Sequence, residues 1–485
     1  MGIESRRKDI KIEKKRLSED KESQHEEVRV FGIYSWVLER LFSFGDSFCF
    51  IGNDETYTYD CLQREVYQWQ RKLDELDIQP GQVIGVVVRE DFSCLVLFLV
   101  LLLNRNILVP LSEDVAEYEE KWSISGVEGY FDTPNCKWVK RSPSVCPSLI
   151  TELQKENDGG VVIFTSGTTG TSKAALLQTK HILRKFEEMR RPWRSLIFLK
   201  LDHIGGIHTL LSIWLNGGCM VCSKERSVEA VCQAIEKHKI ELLPATPSFL
   251  NMLLLSSLYR KHDLSSLKMI TYGTEPMPHS TLKALHALFP EVKLKQTYGL
   301  TELDIFNTQS KNSDSNWMKI AGEGVSLQVR DGELWIRSQG AMRGYLNAPS
   351  PFDNLGWYNT GDRVEKKGEY YRILGRVSDM INVGGEKVYP VEVESVLLKM
   401  PYVQDVKVEG KSNPIMGQVV CATFVLEREE SVIDLRKRMK AFCLDCVEPF
   451  KIPVVVQISK DSLMGYRFKK QRIKSQEAHY CSTQG

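Results

Sequence analysis

Between Thr165 and Lys173 the chain reads TSGTTGTSK, a run of hydroxyl side chains, two glycines and one lysine with almost no hydrophobic surface. Such a loop can wrap backbone N–H groups, hydroxyls and one cation around phosphate oxygens, because glycine lets the backbone approach closely and take positive φ. Thr165, Ser166, Gly167, Thr168, Thr169, Gly170 and Lys173 are therefore candidate phosphate ligands. The P-loop pattern needs Gly before the lysine and Ser or Thr after it. Here Ser172 precedes Lys173 and Ala174 follows, so that motif is not met. Standing alone, the same residues would make a polar surface turn.

The loop must be held by the run before it, and Val161–Phe164 is apolar and β-branched or aromatic, as a buried strand requires. Similar short runs (VIGVVV, CMVCS, LLPATP, KMITYG) alternate with helical patterns such as SVEAVCQAIEKHK and STLKALHALF. That alternation predicts an α/β fold with mainly parallel strands over residues 28–376. After Tyr370 the pattern changes to a few short strands and two helices, which predicts a small α+β domain over residues 377–485. At 485 residues the chain exceeds one ordinary core, in keeping with a large and a small domain. Residues 1–27 are highly charged and read as a solvated leader.

Composition removes several classes of partner. A formal net charge of +1 gives no global pull toward nucleic acid or anionic membrane. The longest apolar run, CLVLFLVLLL from Cys94 to Leu103, is about half of what a membrane span needs and reads as a buried helix. Twelve scattered cysteines and a charged N-terminus without an apolar segment indicate reduced thiols in the cytoplasm. Cys443 and Cys446 form a CxxC with no second pair or histidine cluster at zinc-ligand spacing, so they read as ordinary helical cysteines.

The order of TSGTTGTSK, YGTEP (Tyr272–Pro276), QTYGLTE (Gln296–Glu302), GWYNTGD (Gly356–Asp362) and LGRVSDMINVGGEKVYPVEVE resembles the motif series of the ANL superfamily. Those are the adenylate-forming enzymes, including acyl-CoA synthetases, adenylation domains of nonribosomal peptide synthetases, and luciferases. The resemblance covers residues from about 30 to 475 and implies a large nucleotide-binding domain followed by a small mobile one. It implies that Gly273, Thr274, Glu275 and Pro276 lie on the adenine side, with Tyr298 and Gly299 packing on the base. Taken alone, Tyr298 would be core packing. It further implies that Thr301 touches phosphate, that Glu302 holds Mg2+, and that Asp362 and Arg376 take the ribose. Ser378 would be the hinge between two domain arrangements, and Gly384 and Gly385 would border the path of an incoming thiol. These types suit those tasks: an aromatic face fits a purine, a carboxylate fits a hard cation or a diol.

Two positions depart from the family pattern. The family's catalytic lysine follows a glycine near the C-terminus; aligning on Lys451–Pro453 and the following Lys-x-x-Arg places Lys469 there, with Phe468 in place of the glycine. Ser378 stands where Asp or Lys is common. The segment DHIGGI makes His203 the candidate neighbour of the substrate carboxylate, with a structural histidine as the alternative, and Gly205 and Gly206 would leave room for an acyl chain or ring. The implied activity is ATP-dependent formation of an acyl-adenylate from a fatty or aryl acid, then transfer to coenzyme A. A stand-alone enzyme loading the phosphopantetheine of a carrier protein is a second expectation, and a nucleotide-binding regulatory protein without turnover is a third.

Overall fold

The computed structural model describes residues 32–52, 55–113, 118–132, 137–142, 145–165, 172–223, 225–444, 446–460 and 463. The charged leader lies outside them. The apolar run beginning at Cys94 forms the helix Phe92–Leu103, in which every residue except Ser93 is buried; Asp91 caps it by accepting from Cys94 N at 2.9 Å. With the helix Ile204–Trp214 it belongs to a central apolar layer between two seven-stranded sheets.

One sheet runs in the order Gly344–Tyr345, Lys173–Gln178, Gly160–Thr165, Ile107–Ser112, Val83–Val88, Gly129–Asp132, Lys137–Lys140. Its middle strands are parallel and its margins antiparallel. The strand Val83–Val88 is buried along its whole length because both of its faces are covered: Ile84 and Val86 enter the central layer, Val83 and Val87 a separate cluster behind. The second sheet runs Lys293–Gln296, Met269–Tyr272, Leu242–Ala245, Arg194–Leu196, Cys219–Val221, Phe48–Ile51, Thr56–Thr58 and is parallel except for its last pair. Its outer face packs on the helices Val228–His238, Pro247–Ser256 and His279–Leu288.

Residues 307–376, apart from the strand Gly344–Tyr345 of the first sheet, depart from the expected alternation and form a six-stranded antiparallel sheet. The cause is turn chemistry: Asp331 and Gly332 hold φ of 51° and 76°, the left-handed pair that closes a two-residue hairpin, and LQVRDGELWIR carries the Asp-Gly signal for it. A five-stranded sheet begins at Ile381 and packs on the helices Pro390–Leu397 and Val432–Cys443 around its own apolar cluster. Cys443 ends that last helix and Cys446 sits beyond it. Among the described residues no helix is long and apolar enough to cross a membrane, and no cluster of three or more His, Cys, Asp or Glu side chains is placed to hold a metal ion.

Gly206 has a packing reason rather than a space-making one. A Cβ there would stand 2.0 Å from the carbonyl oxygen of Lys200, so only glycine lets the first turn of its helix close on the preceding loop. The Gly206→Ala protein should melt several degrees below the wild type in a thermal scan, as overpacking costs about 1–3 kcal/mol. An unchanged melting temperature would show that this loop yields freely.

Candidate functional site

Parallel strands Arg194–Leu196, Leu242–Ala245, Met269–Tyr272 and Lys293–Gln296 bring their carboxyl ends to one sheet edge. Loops leaving such an edge are where an open α/β sheet presents its ligand groups. Here they deliver Asp202 and His203, Thr246 to Ser248, Gly273 to Pro276, and Thr297 to Glu302.

A cavity of about 410 Å³ opens at this edge, and Thr274, Glu275, Pro276, Tyr298, Gly299, Asp362 and Arg376 all line it. Pro390, Val391 and Glu394 of the small sheet's helix line it as well, so both parts of the chain contribute walls. Gly273 lets two loops touch: a Cβ would fall 2.3 Å from Thr297 Oγ1, while Thr297 donates to Tyr272 O from its N–H at 2.7 Å and its hydroxyl at 3.1 Å. Thr274 holds φ of 70°, a left-handed conformation that costs a threonine of order 1 kcal/mol and fixes where Glu275 points. Glu275 accepts from Ser248, both its N–H at 3.2 Å and its hydroxyl at 2.7 Å.

Asp362 is the charged centre of the cavity. It is 5% exposed, takes Arg376 Nε at 2.7 Å on one oxygen and the Tyr298 hydroxyl at 2.6 Å on the other. Burial pushes its carboxyl above the ordinary range, against the pull of Arg376 and Tyr298. Tyr298 is driven well above its usual value by burial and by Asp362, so its phenol stays a donor. Arg376 also donates to Thr360 O at 2.7 Å, and Thr360 Oγ1 accepts the Asp362 N–H at 3.1 Å. A carboxylate offers about four acceptor positions, and two side-chain donors leave room for a diol.

Glu302 lies in the turn after Gly299–Leu300, beside Thr301, and is 9% exposed. Its Oε1 accepts the Tyr345 hydroxyl at 2.5 Å, and no hydrogen bond to its other oxygen occurs among the described residues. Lys173 stands 5.2 Å from the centroid of the Tyr345 ring. Lys173 and Thr165 are register partners at the mouth of the strands Gly160–Thr165 and Lys173–Gln178. Ser166, Gly167, Thr168, Thr169 and Gly170 lie outside the described residues. Asn347 fastens the base of that loop, accepting from Ala174 N and donating to Ser172 O, each at 2.9 Å.

Other sequence-derived candidates stand apart from the cavity wall. His203 precedes the helix Ile204–Trp214, and its carbonyl accepts from Gly206 N at 3.0 Å. Neighbouring Asp202 is 6% exposed and accepts from Ser112 Oγ at 2.6 Å, tying the two large sheets together. Ser378 sits in a short exposed turn with its hydroxyl on Asp379 Oδ1 at 3.1 Å. Gly384 and Gly385 hold φ of 60° and 97° and close the hairpin between Ile381–Val383 and Glu386–Val388, which gives both glycines a backbone reason. Lys469 is outside the described residues. Tyr345, Thr360, Asn347 and Tyr358, whose hydroxyl meets that of Tyr345, escaped the sequence reading; RGYLN and GWYNTGD contain them, but only long-range pairing carries them to the site.

Residues 39–346, more than half of the chain, match the family model described as AMP-binding enzyme, and residues 392–465 match the AMP-binding enzyme C-terminal domain. The chain is 29% identical over 328 residues to a mitochondrial medium-chain acyl-CoA ligase of Mus musculus, covering 60% of this chain and 52% of the relative. It is 31% identical over 314 residues to an indoleacetate–CoA ligase of Aromatoleum aromaticum, covering 59% of each. The matched segment thus spans somewhat over half the length of these curated relatives. Among solved structures, an anthranilate CoA ligase bound to anthranoyl-AMP superposes with a TM-score of 0.72 at 19% identity, over 88% of this chain and 93% of that one, a likeness of fold. The chain belongs to the AMP-binding enzymes, the adenylate-forming superfamily whose motifs its sequence resembles.

Proposed function

We propose that this protein uses ATP to convert a fatty or aryl carboxylic acid to an acyl-adenylate, releasing pyrophosphate, and then passes the acyl group to coenzyme A. The observation that carries the reading is the Asp362 cluster: a buried carboxylate with lone pairs to spare faces the same cavity as Tyr298 and the Gly273–Pro276 loop. Relatives named as CoA ligases favour coenzyme A over a carrier protein as acceptor. A cytosolic site of action fits the described cysteines, all of them free thiols.

In this mechanism Asp362 and Arg376 orient the ribose, and Tyr298 and Gly299 with the Gly273–Pro276 segment pack on adenine. The loop from Thr165 to Lys173 and the Thr301 hydroxyl hold the phosphates. Glu302 suits Mg2+, since one of its oxygens is steadied by Tyr345 and the other carries no hydrogen bond among the described residues. When bound there, Mg2+ would neutralise phosphate charge. The substrate carboxylate, ionised at neutral pH, needs no general base: its oxygen bonds the α-phosphorus while the bond to pyrophosphate breaks. His203, before the helix Ile204–Trp214 and outside the described cavity wall, would border that carboxylate, and Lys469 would bring positive charge to the joining atoms, the largest requirement when an anion meets a polyanion. For the second step the small domain turns about Ser378, and the thiol passes beside Gly384 and Gly385 to the acyl carbon, displacing AMP.

ATP–pyrophosphate exchange across fatty, aryl and amino acids tests the reading: exchange with one acid class supports adenylation, and ATP binding with silence across the panel overturns it. Lys469→Ala should lower exchange at least a hundredfold with ATP binding retained; full exchange would remove Lys469 from the chemistry. Tyr298→Phe keeps the aromatic face but deprives Asp362 of a charge-assisted hydrogen bond, and the ATP concentration for half-maximal exchange should rise about tenfold. Tyr345→Phe should instead raise the Mg2+ concentration needed for half-maximal exchange; an unchanged Mg2+ dependence would separate Glu302 from the metal.

A further inference from the structure

One cationic cluster is left unexplained by the nucleotide site, and it lies beside the region where the acid must sit. In the second sheet, Ile270, Tyr272 and Leu294 face outward onto the helical cluster, whereas Met269 packs on the central layer. Lys295 pairs in register with Thr271, so strand alternation turns it toward that central layer and the helix Ile204–Trp214. On this helix His208 packs against the ring of Phe186 at 5.1 Å between centroids.

The charges around these two residues do not balance. Burial and the nearby cations Lys185, Arg190 and Lys295 push His208 down to about 3, so it is neutral at physiological pH. Burial, Arg190 and Lys293 lower Lys295. Lys185 already has a counter-ion, Asp304 Oδ2 at 2.5 Å. Arg190 is held by the neutral Asn307 Oδ1 at 3.3 Å, and Glu241, which precedes the strand Leu242–Ala245 two positions across the sheet, is taken by Lys268 and Arg191. Lys295, half-buried, makes no ion pair or hydrogen bond among the described residues. A cation withdrawn from water without a partner is costly, and an anion delivered to it relieves that cost.

The position fixes what the anion belongs to. Lys295 precedes the cavity-lining Thr297 by two residues, about 7 Å along the strand. His208 follows His203 by five residues, again about 7 Å along the helix. Both thus stand one short acyl length below the edge where the adenylate would form. We propose that the acid carries a second carboxylate, remote from the one that is adenylated, and that Lys295, with the exposed Arg190 beside it, binds that carboxylate between the helix Ile204–Trp214 and the strand Lys293–Gln296. Neutral His208 donates or accepts at the same end. This rests on the adenylation reading and narrows its substrate class from plain fatty or aryl acids to dicarboxylic acids.

The test compares matched probes, succinate, glutarate and adipate against butyrate, valerate and hexanoate, in ATP–pyrophosphate exchange. The wild type should prefer one diacid at least tenfold in kcat/KM over its monoacid partner, and Lys295→Met, of similar volume, should abolish or reverse that preference. A wild type that prefers monoacids, or a diacid preference untouched by Lys295→Met, overturns the proposal. If no acid supports exchange, the adenylation reading fails separately, and the site is read by melting temperature. A rise with a diacid but not its monoacid, lost in Lys295→Met, supports the anion site; equal shifts overturn it.

Discussion

The buried carboxylate of Asp362 is the constraint around which the rest of the site is arranged. An ionised carboxylate at 5% exposure is stable only if its charge is matched, and the match comes from two directions. Arg376 reaches it across one rung of the antiparallel sheet, where the two residues are register partners. Tyr298 reaches it from the edge of the parallel sheet. The pair of contacts thereby locks two differently built sheets into one relative position. Arg376 is also the last residue of its strand, so the site ends where the chain turns toward the five-stranded sheet.

The phenols repeat the same logic. Burial and neighbouring carboxylates hold Tyr298, Tyr345 and Tyr358 above the ordinary tyrosine range, so each remains protonated at any pH the protein meets. A permanently protonated phenol is a donor fixed in identity, which suits a position that must present Asp362 or Glu302 in one orientation. Lys173 over the Tyr345 ring extends the chain of contacts to the paired strands Gly160–Thr165 and Lys173–Gln178 without neutralising Glu302 directly.

What the sequence revealed and what it hid divide along chain separation. The strand–loop–strand unit around Thr165 and Lys173 is local, and hydrophobic patterning exposes it. The helix Phe92–Leu103 is likewise written in one unbroken apolar run. Tyr345 was invisible because its place depends on pairing Gly344–Tyr345 with a strand far upstream in the sequence, a register no local pattern encodes. The antiparallel sheet carried a legible sign, Asp331-Gly332, but its strands are half-exposed and mixed in polarity, so alternation with helices elsewhere dominated the reading. Gly206 shows the complementary error: glycine near a substrate suggests space, whereas the Lys200 carbonyl already fills it.

Because long-range contacts assemble the site, its two ends need not respond together. The end proposed for the nucleotide is bounded by Asp362, Arg376 and the helix Pro390–Leu397, elements that bridge the large and small parts of the chain. The far end, with Lys295 and His208, is built wholly from the second sheet and the central helical layer. Rotation of the small sheet about the turn Val377–Asp379 would remodel the first end and leave the second intact. On the proposed reading, an acid anchored at the far end keeps its position while the groups around its adenylated end exchange, the physical requirement for one cavity to serve two successive reactions.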